Sequence, residues 1–264
     1  MKQIRNRYKS DWKKQVRNEE RYLSKNINRK SSAIDGFLED KVPEKLADTL
    51  ERAFVKAFEL VFTKGTGIIE KTYDKEAISQ DYDNNRNALD EKKTKKTMKA
   101  FSKKVGNKSA INTAISGAAG LGMGVLGIGL PDIPIFVGLM LKNIYEIALN
   151  YGFTYEEPEE QYFILLIIRG ALLSGDELLQ TDQKINNYID SKTHDDTLQN
   201  KQDQIKLTAT TLSEELLYMK FLQGIPIVGV VGGISDTIYM NRVSGYAKLK
   251  YKRRFLKCAI IQEN

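Results

Sequence analysis

The sequence predicts an all-α fold: a single multi-helix domain with two glycine-rich apolar helical hairpins at its centre. Three observations predict it. Apolar residues recur at helical spacing along most of the 264 residues. Strand-like alternation is sparse, and there are only five prolines. Two glycine-rich stretches, Gly117 to Gly152 and Leu222 to Asp236, each contain an aspartate placed ahead of a helix-like run. A chain of this length buries a sizeable core as one large domain or two small ones, and about eight to ten helices are expected.

Met1 to Ser32 is expected to be a basic amphipathic helix, and residues 33–264 the helical domain. Met1 to Lys30 carries eleven Lys/Arg against three acids, with Tyr8, Trp12, Val16, Leu23 and Ile27 as a narrow apolar stripe. Three readings fit it. The helix docks its stripe on the body, lies on anionic lipid, or serves as a nucleic-acid arm. Pro43 is suited to open the next helix. There Leu46, Leu50, Phe54, Phe58 and Phe62 repeat every fourth residue, as a helix packed on a core requires, and Lys64 to Gly67 is a plausible stop.

Asp74 to Lys108 is rich in charge, and Lys92, Lys93, Lys95, Lys96, Lys103 and Lys104 crowd a short span of it. They form either a solvated helix face or a cluster beside a membrane, where such lysines meet anionic lipid. Ala110 to Leu130 is long enough to span a bilayer. Nine of its twenty-one side chains, however, are Gly, Ser, Asn or Thr, which lowers insertion propensity. Buried hairpins, dipping at most into a bilayer, are the better expectation. Glycine inside a helix costs about 1 kcal/mol against alanine, so its abundance calls for a reason. Gly120 and Gly124, and again Gly229 and Gly233, lie four apart, the spacing that lets two helix backbones touch. Pro131 and Pro134 bracket Asp132. Asp132 and Asp236 are expected to cap the helices that begin there.

Farther on, Glu156 to Glu160 sets acids around Pro158, as at a helix start. Tyr162 to Ile168 is apolar on every side, expected buried all round, and too short to span a bilayer. Thr181 to Lys206 is polar and reads as a loop, a loose helix or an insertion. Helical character returns at Leu212, Leu216, Leu217 and Phe221, and a last basic helix carries Tyr246, Lys248, Lys250, Lys252, Arg253, Arg254 and Phe255.

Little chemistry is legible. His194 is the one histidine and Cys258 the one cysteine, so a histidine acid–base pair, a metal cluster and an internal disulfide are not expected. Gly122-x-Gly124-x-x-Gly127 matches the dinucleotide fingerprint, but Pro131 and Pro134 interrupt the uninterrupted helix that motif requires after its glycines, and no βαβ pattern surrounds it. No cofactor or metal is expected. The basic N-terminus lacks an apolar core of the secretory type, which suits a cytoplasmic setting.

Several motifs together resemble the EcsC family, bacterial proteins named for a gene that accompanies the Ecs ABC transporter. Ile34-Asp35 through Pro43-Glu44-Lys45 is similar to its IPEK-like helix start. Leu130-Pro131-Asp132-Ile133-Pro134 stands for its ADxP and Asn150-Tyr151-Gly152 for its YG. Phe221-Leu222-Gln223-Gly224-Ile225-Pro226-Ile227-Val228-Gly229, through Arg253-Arg254-Phe255-Leu256, stands for its LQ-IP-GA-GA-N and RxRxL. Asp236 falls where the family favours asparagine, and Glu160-Gln161 where it has Glu-Arg. The resemblance covers about residues 30 to 257. It implies no assigned active site, and a helical, membrane- or transport-associated accessory protein with an ABC exporter as partner. Contact with anionic lipid at the cytoplasmic membrane face, and none with nucleic acid, is the matching expectation. Two alternatives stand beside it: an apolar ligand such as a lipid held between the glycine-rich helices, and a hydrolase using Asp132 and Asp236.

Overall fold

The computed structural model describes residues 2–29, 44–65, 69–70, 73–92, 132–191, 197–222 and 234–262, and among these the secondary structure is entirely helical. Eight α-helices run in order: α1 (Lys2–Asn26), α2 (Glu44–Leu60), α3 (Lys75–Lys92), α4 (Asp132–Asn150), α5 (Pro158–Leu172), α6 (Gly175–Asp190), α7 (Thr197–Leu222) and α8 (Ile234–Gln262). A π-helical turn, Val61–Gly65, closes α2. Both glycine-rich stretches, and with them Gly120, Gly124, Pro131, Pro226, Gly229 and Gly233, lie outside the described residues, as do Lys93, Lys95, Lys96, Lys103 and Lys104. Asp132, Asp236 and Lys92 lie in described helices, but their side chains are outside the description.

α5 shows how local sequence sets a helix. Pro158 occupies the first turn, where its missing N–H costs nothing, and Glu157 precedes it in extended conformation. Glu159 and Glu160 come next, where the positive end of the helix dipole favours them. Every residue from Glu160 to Ile168 is buried, as the all-apolar run requires. The helix reaches this state by packing on α6, α7 and α8 at once. α4 has the length and apolar composition to cross a membrane, yet 89% of Ile133–Asn150 is buried against α2, α3 and α8. In α2 the four-residue repeat faces the core, with Leu50, Phe54 and Phe58 buried. Asp74 starts α3 by accepting the N–H of Ala77 at 2.8 Å, a cap worth roughly 1 kcal/mol.

Gly152 ends α4. The N–H of Phe153 reaches the carbonyl of Ala148 at 3.0 Å and that of Gly152 the carbonyl of Leu149 at 2.9 Å, which together form a Schellman motif. The motif needs a left-handed residue, and Gly152 has φ of +79°. A β-carbon there would also strike the ring of Tyr82 on α3. We expect Gly152→Ala to cost about 2 kcal/mol or more, from the left-handed conformation and the displaced ring together. Urea denaturation followed by circular dichroism measures it, and a loss below about 0.5 kcal/mol would contradict this account.

Two expectations need correcting. Of the loop, loose helix or insertion expected at Thr181 to Lys206, the described residues form helix, the second half of α6 and the first part of α7, with 192–196 outside the described residues. Thr181, Asp182, Ile185, Tyr188, Gln204 and Ile205 within it are buried. The composition misleads because buried Asp182 and Tyr188 meet partners on other helices, Tyr246 and Lys250 for the first and the Glu159 carbonyl for the second. The N-terminal stripe does dock on the body, against α8. Its buried centre is Tyr8, Gln15 and Glu19 rather than Val16, Leu23 and Ile27, which are half-buried. Gln15 donates to the Leu249 carbonyl at 2.9 Å, so the interface is held by polar contacts that apolar periodicity does not reveal.

Two of the central helices share a direction. Phe136 meets Tyr239 with ring centroids 6.5 Å apart, and Tyr151 meets Phe255 at 6.0 Å, so α4 and α8 run parallel. Their N-terminal turns, holding Asp132 and Asp236, therefore lie at one end of the bundle. α1 finishes at that end too, where the carbonyl of Ile27 accepts the N–H of Gly175 at 3.0 Å.

Candidate functional site

The most deeply buried charged residue among those described, Lys250, sits on α8. Lys250 is fully buried, and its ammonium lies 2.6 Å from Asp182 Oδ1 on α6 and 3.5 Å from Glu19 Oε2 on α1. It also donates to Asn186 Oδ1 at 3.0 Å. Tyr246, one turn earlier, donates to the same Asp182 oxygen at 2.6 Å, and its ring stacks on Tyr22 of α1 at 4.9 Å. α5 can come this close because Gly170 has no β-carbon to meet the Tyr246 ring, which would stand 2.8 Å away. Arg253 completes the group, 2.9 Å from Glu19 and 3.9 Å from Asp190, with its guanidinium over the Trp12 ring at 4.8 Å. Charged groups from three helices thus pair with one another, and all but Asp190 are almost out of contact with water. Such a cluster is costly to desolvate and rewards only a geometry in which every partner is present.

Arg254 points to the other side of α8. It pairs with the buried Glu160 of α5, which also accepts the Tyr251 hydroxyl at 2.6 Å. The guanidinium lies over Phe153 at 4.3 Å and Phe163 at 5.0 Å. Burial lowers the Arg254 pKa, and the Glu160 carboxylate more than reverses this, so the net shift is upward. Arg253 and Arg254 are therefore two staples facing opposite ways, one to α1 and α6, the other to α5.

A third cluster lies at the far end of the bundle from Asp132. The Tyr73 hydroxyl donates to the Tyr155 oxygen at 2.7 Å, and Tyr155 donates to Glu70 Oε1 at 2.6 Å. Lys75 bridges Glu70, at 3.1 Å, and Glu156. The Tyr155 ring is stacked on Tyr145 with centroids 4.0 Å apart. Burial raises both Tyr73 and Tyr155 above the ordinary phenol range. At the opposite end Glu215 pairs with Arg242 at 3.1 Å, and burial raises its carboxyl pKa against the opposing pull of Arg29 and Arg242. Arg29 in turn donates to the carbonyls of Leu172 and Leu173, closing the C-terminus of α5.

These clusters join helices; each carboxylate faces a cation or a hydroxyl of another element. Among the described residues no three His, Cys, Asp or Glu side chains are grouped to hold a metal ion. His194 lies outside the described residues, and Cys258 is exposed on α8. Of the motif residues, Arg253 and Arg254 are engaged as above, Gly152 closes α4, and Pro134 is buried in the first turn of α4. Asp132 and Asp236 stand at the starts of two parallel helices.

A match to the EcsC protein family runs over residues 7–256, which takes in every described helix in whole or in part. The chain belongs to the EcsC protein family. This EcsC-family chain is 24% identical over 234 residues to Protein EcsC of Bacillus subtilis (strain 168), covering 88% of each. It is 25% identical over 150 residues to the uncharacterized protein YdbA of the same organism, covering 56% of this chain and 54% of that one. No solved structure matches it. The family match begins at residue 7, ahead of the motifs near residue 30, and so includes α1.

Sequence reasoning missed Gln15, Glu19, Asp182 and Lys250, the polar residues that tie α1 and α6 to α8. One signal was available. Leu178, Asp182, Ile185 and Ile189 keep helical spacing through the stretch read as polar, which places Asp182 on the inward face.

Proposed function

We propose that this EcsC-family protein is a non-enzymatic accessory protein of the cytoplasmic membrane face, attached peripherally and serving a membrane transporter. The observation that carries the reading is the parallel packing of α4 and α8. Residues 110–131 lead into α4 and residues 223–233 into α8, and neither stretch holds an ionisable side chain. Each stretch is continuous in sequence with the first turn of one of these two helices, and those turns lie at one end of the bundle. A bilayer, or the membrane-embedded part of a partner, is the surroundings such stretches suit. The polar clusters of the body favour a scaffold over an enzyme, because helix docking accounts for each of them. An ABC exporter is the partner proposed through the family resemblance.

Separation of cells into membrane and soluble fractions tests the reading. We expect the protein to sediment with the membranes; release by high salt marks attachment by charge, and retention at high salt marks attachment through the glycine-rich stretches. A protein found wholly in the soluble fraction would end the membrane reading.

A further inference from the structure

The chain's charge is concentrated in one place. Met1 to Lys30 holds eleven of the 41 lysines and arginines and three of the 34 acids, so the rest of the chain, with 30 bases and 31 acids, is almost neutral. The net charge of +7 therefore belongs to α1 and its immediate flank.

The structure shows which way the charges from Lys9 to Lys25 face. Tyr8, Trp12, Gln15, Glu19 and Tyr22 turn toward the body. With about 3.6 residues per turn, the opposite half of the helix carries Lys9, Lys13, Lys14, Arg17, Arg21 and Lys25, all exposed, against one exposed acid, Glu20. The row is roughly 24 Å long at 1.5 Å per residue. Beside it on α8 stands the half-buried Lys252, whose pKa is lowered by burial. Lys252 feels the charges of Asp11 and Lys14, which places it along the edge of α1. α6 exposes Asp176, Glu177 and Asp190 and one lysine, Lys184, so it does not extend the cationic face.

The same geometry selects the partner. Single-stranded nucleic acid is held by aromatic platforms between cations, but the aromatic rings of the described part of α1 are committed inward: Trp12 lies under Arg253 and Tyr22 against Tyr246. Flexible cations with short Ser10 and Ser24 between them suit a plane of anionic headgroups, where each lysine or arginine adds to attraction independently. We propose that the outer face of α1, from Lys9 to Lys25, is a docking surface for an anionic lipid bilayer, on which the protein lies side-on. The proposal rests on the membrane reading above and moves the lipid contact to α1 from the lysine cluster at residues 92–104.

The test is flotation of the full-length protein with phosphatidylcholine vesicles, with and without phosphatidylglycerol, at low and high salt. Three proteins are compared: the wild type, K13Q/R17Q/R21Q on the outer face of α1, and K45Q/K56Q/K206Q, which removes the same charge from exposed positions on α2 and α7. All six positions are exposed, so thermal melts should coincide and folding is controlled. We expect wild type and the α2/α7 variant to float on anionic vesicles at low salt and to lose this as salt rises. The α1 variant should bind about 100-fold more weakly, as three lost contacts imply. Equal loss in both variants would overturn the α1 surface. Wild-type flotation that survives high salt and is unchanged in the α1 variant would also overturn it, while leaving the membrane reading intact. No flotation of the wild type, or binding to RNA or duplex DNA in its place, would overturn both.

Discussion

Raising the pH above about 10 unfolds this protein over a narrow range. Five tyrosines at or under 8% exposure, Tyr151, Tyr155, Tyr188, Tyr246 and Tyr251, have pKa values raised by burial. The half-buried Tyr22 is pushed up to about 12 for the same reason. In the unfolded chain each phenol ionises near 10, whereas in the fold it stays neutral beyond that. The native state then holds more protons than the unfolded one, so stability falls as pH rises. The contribution is fully present below about pH 10 and is lost above it. Each such phenol removes about 1.4 kcal/mol per pH unit. Five together remove about 7 kcal/mol per pH unit, comparable with the whole stability of a typical domain. Lys142, Lys201, Lys248 and Lys252, lowered by burial, act with the opposite sign and favour the fold as pH approaches 10 from below. Far-ultraviolet circular dichroism and tyrosinate absorbance should therefore change together in one step above about pH 10. Gradual tyrosinate formation with helicity intact would refute the argument.

Replacing Lys250 by alanine should cost about 3–5 kcal/mol, among the largest effects of any single truncation in the chain. The substitution leaves Asp182 and Glu19 buried and facing the same space without the ammonium between them. Arg253 still holds Glu19, and Tyr246 and Asn186 still donate to Asp182, so the fold survives weakened. Lys250→Met with Asp182→Asn removes both charges and should recover much of the loss, because the desolvation penalty disappears with the pair. Urea denaturation of the wild type, Lys250→Met, Asp182→Asn and the double variant gives the coupling directly. A Lys250→Ala variant within about 1 kcal/mol of wild type would show that the cluster contributes little.

Much of the helical layout is legible from local pattern. The phenylalanine ladder of α2, the all-apolar run of α5 behind Pro158 and the close of α4 at Gly152 each arise from spacing and backbone preference within a few residues. The family resemblance was legible as well, since it depends on short motifs in order. Asp182 and Lys250 were not, and the reason is electrostatic. A charged residue in a helix looks the same in sequence whether water or a buried counter-charge meets it, and the partners on other helices here lie 64 to 231 residues apart. The stretch from Thr181 to Lys206 reads as a loop, a loose helix or an insertion for the same reason.

For the candidate surface the division is similar. Eleven cations near the N-terminus are visible in the sequence, but their direction depends on which side of α1 meets α8. Helical periodicity left three uses for that helix open. By itself the sequence determined that the chain is helical, where many of its helices begin and end, and that its first thirty residues are cationic, because propensity, capping and charge are local properties. Only the tertiary structure decided that α4 and α8 run parallel, that Lys250 is an internal counter-ion, and that the cations of α1 from Lys9 to Lys25 face outward. Those depend on which surfaces exclude water from one another, and contacts between distant residues settle that.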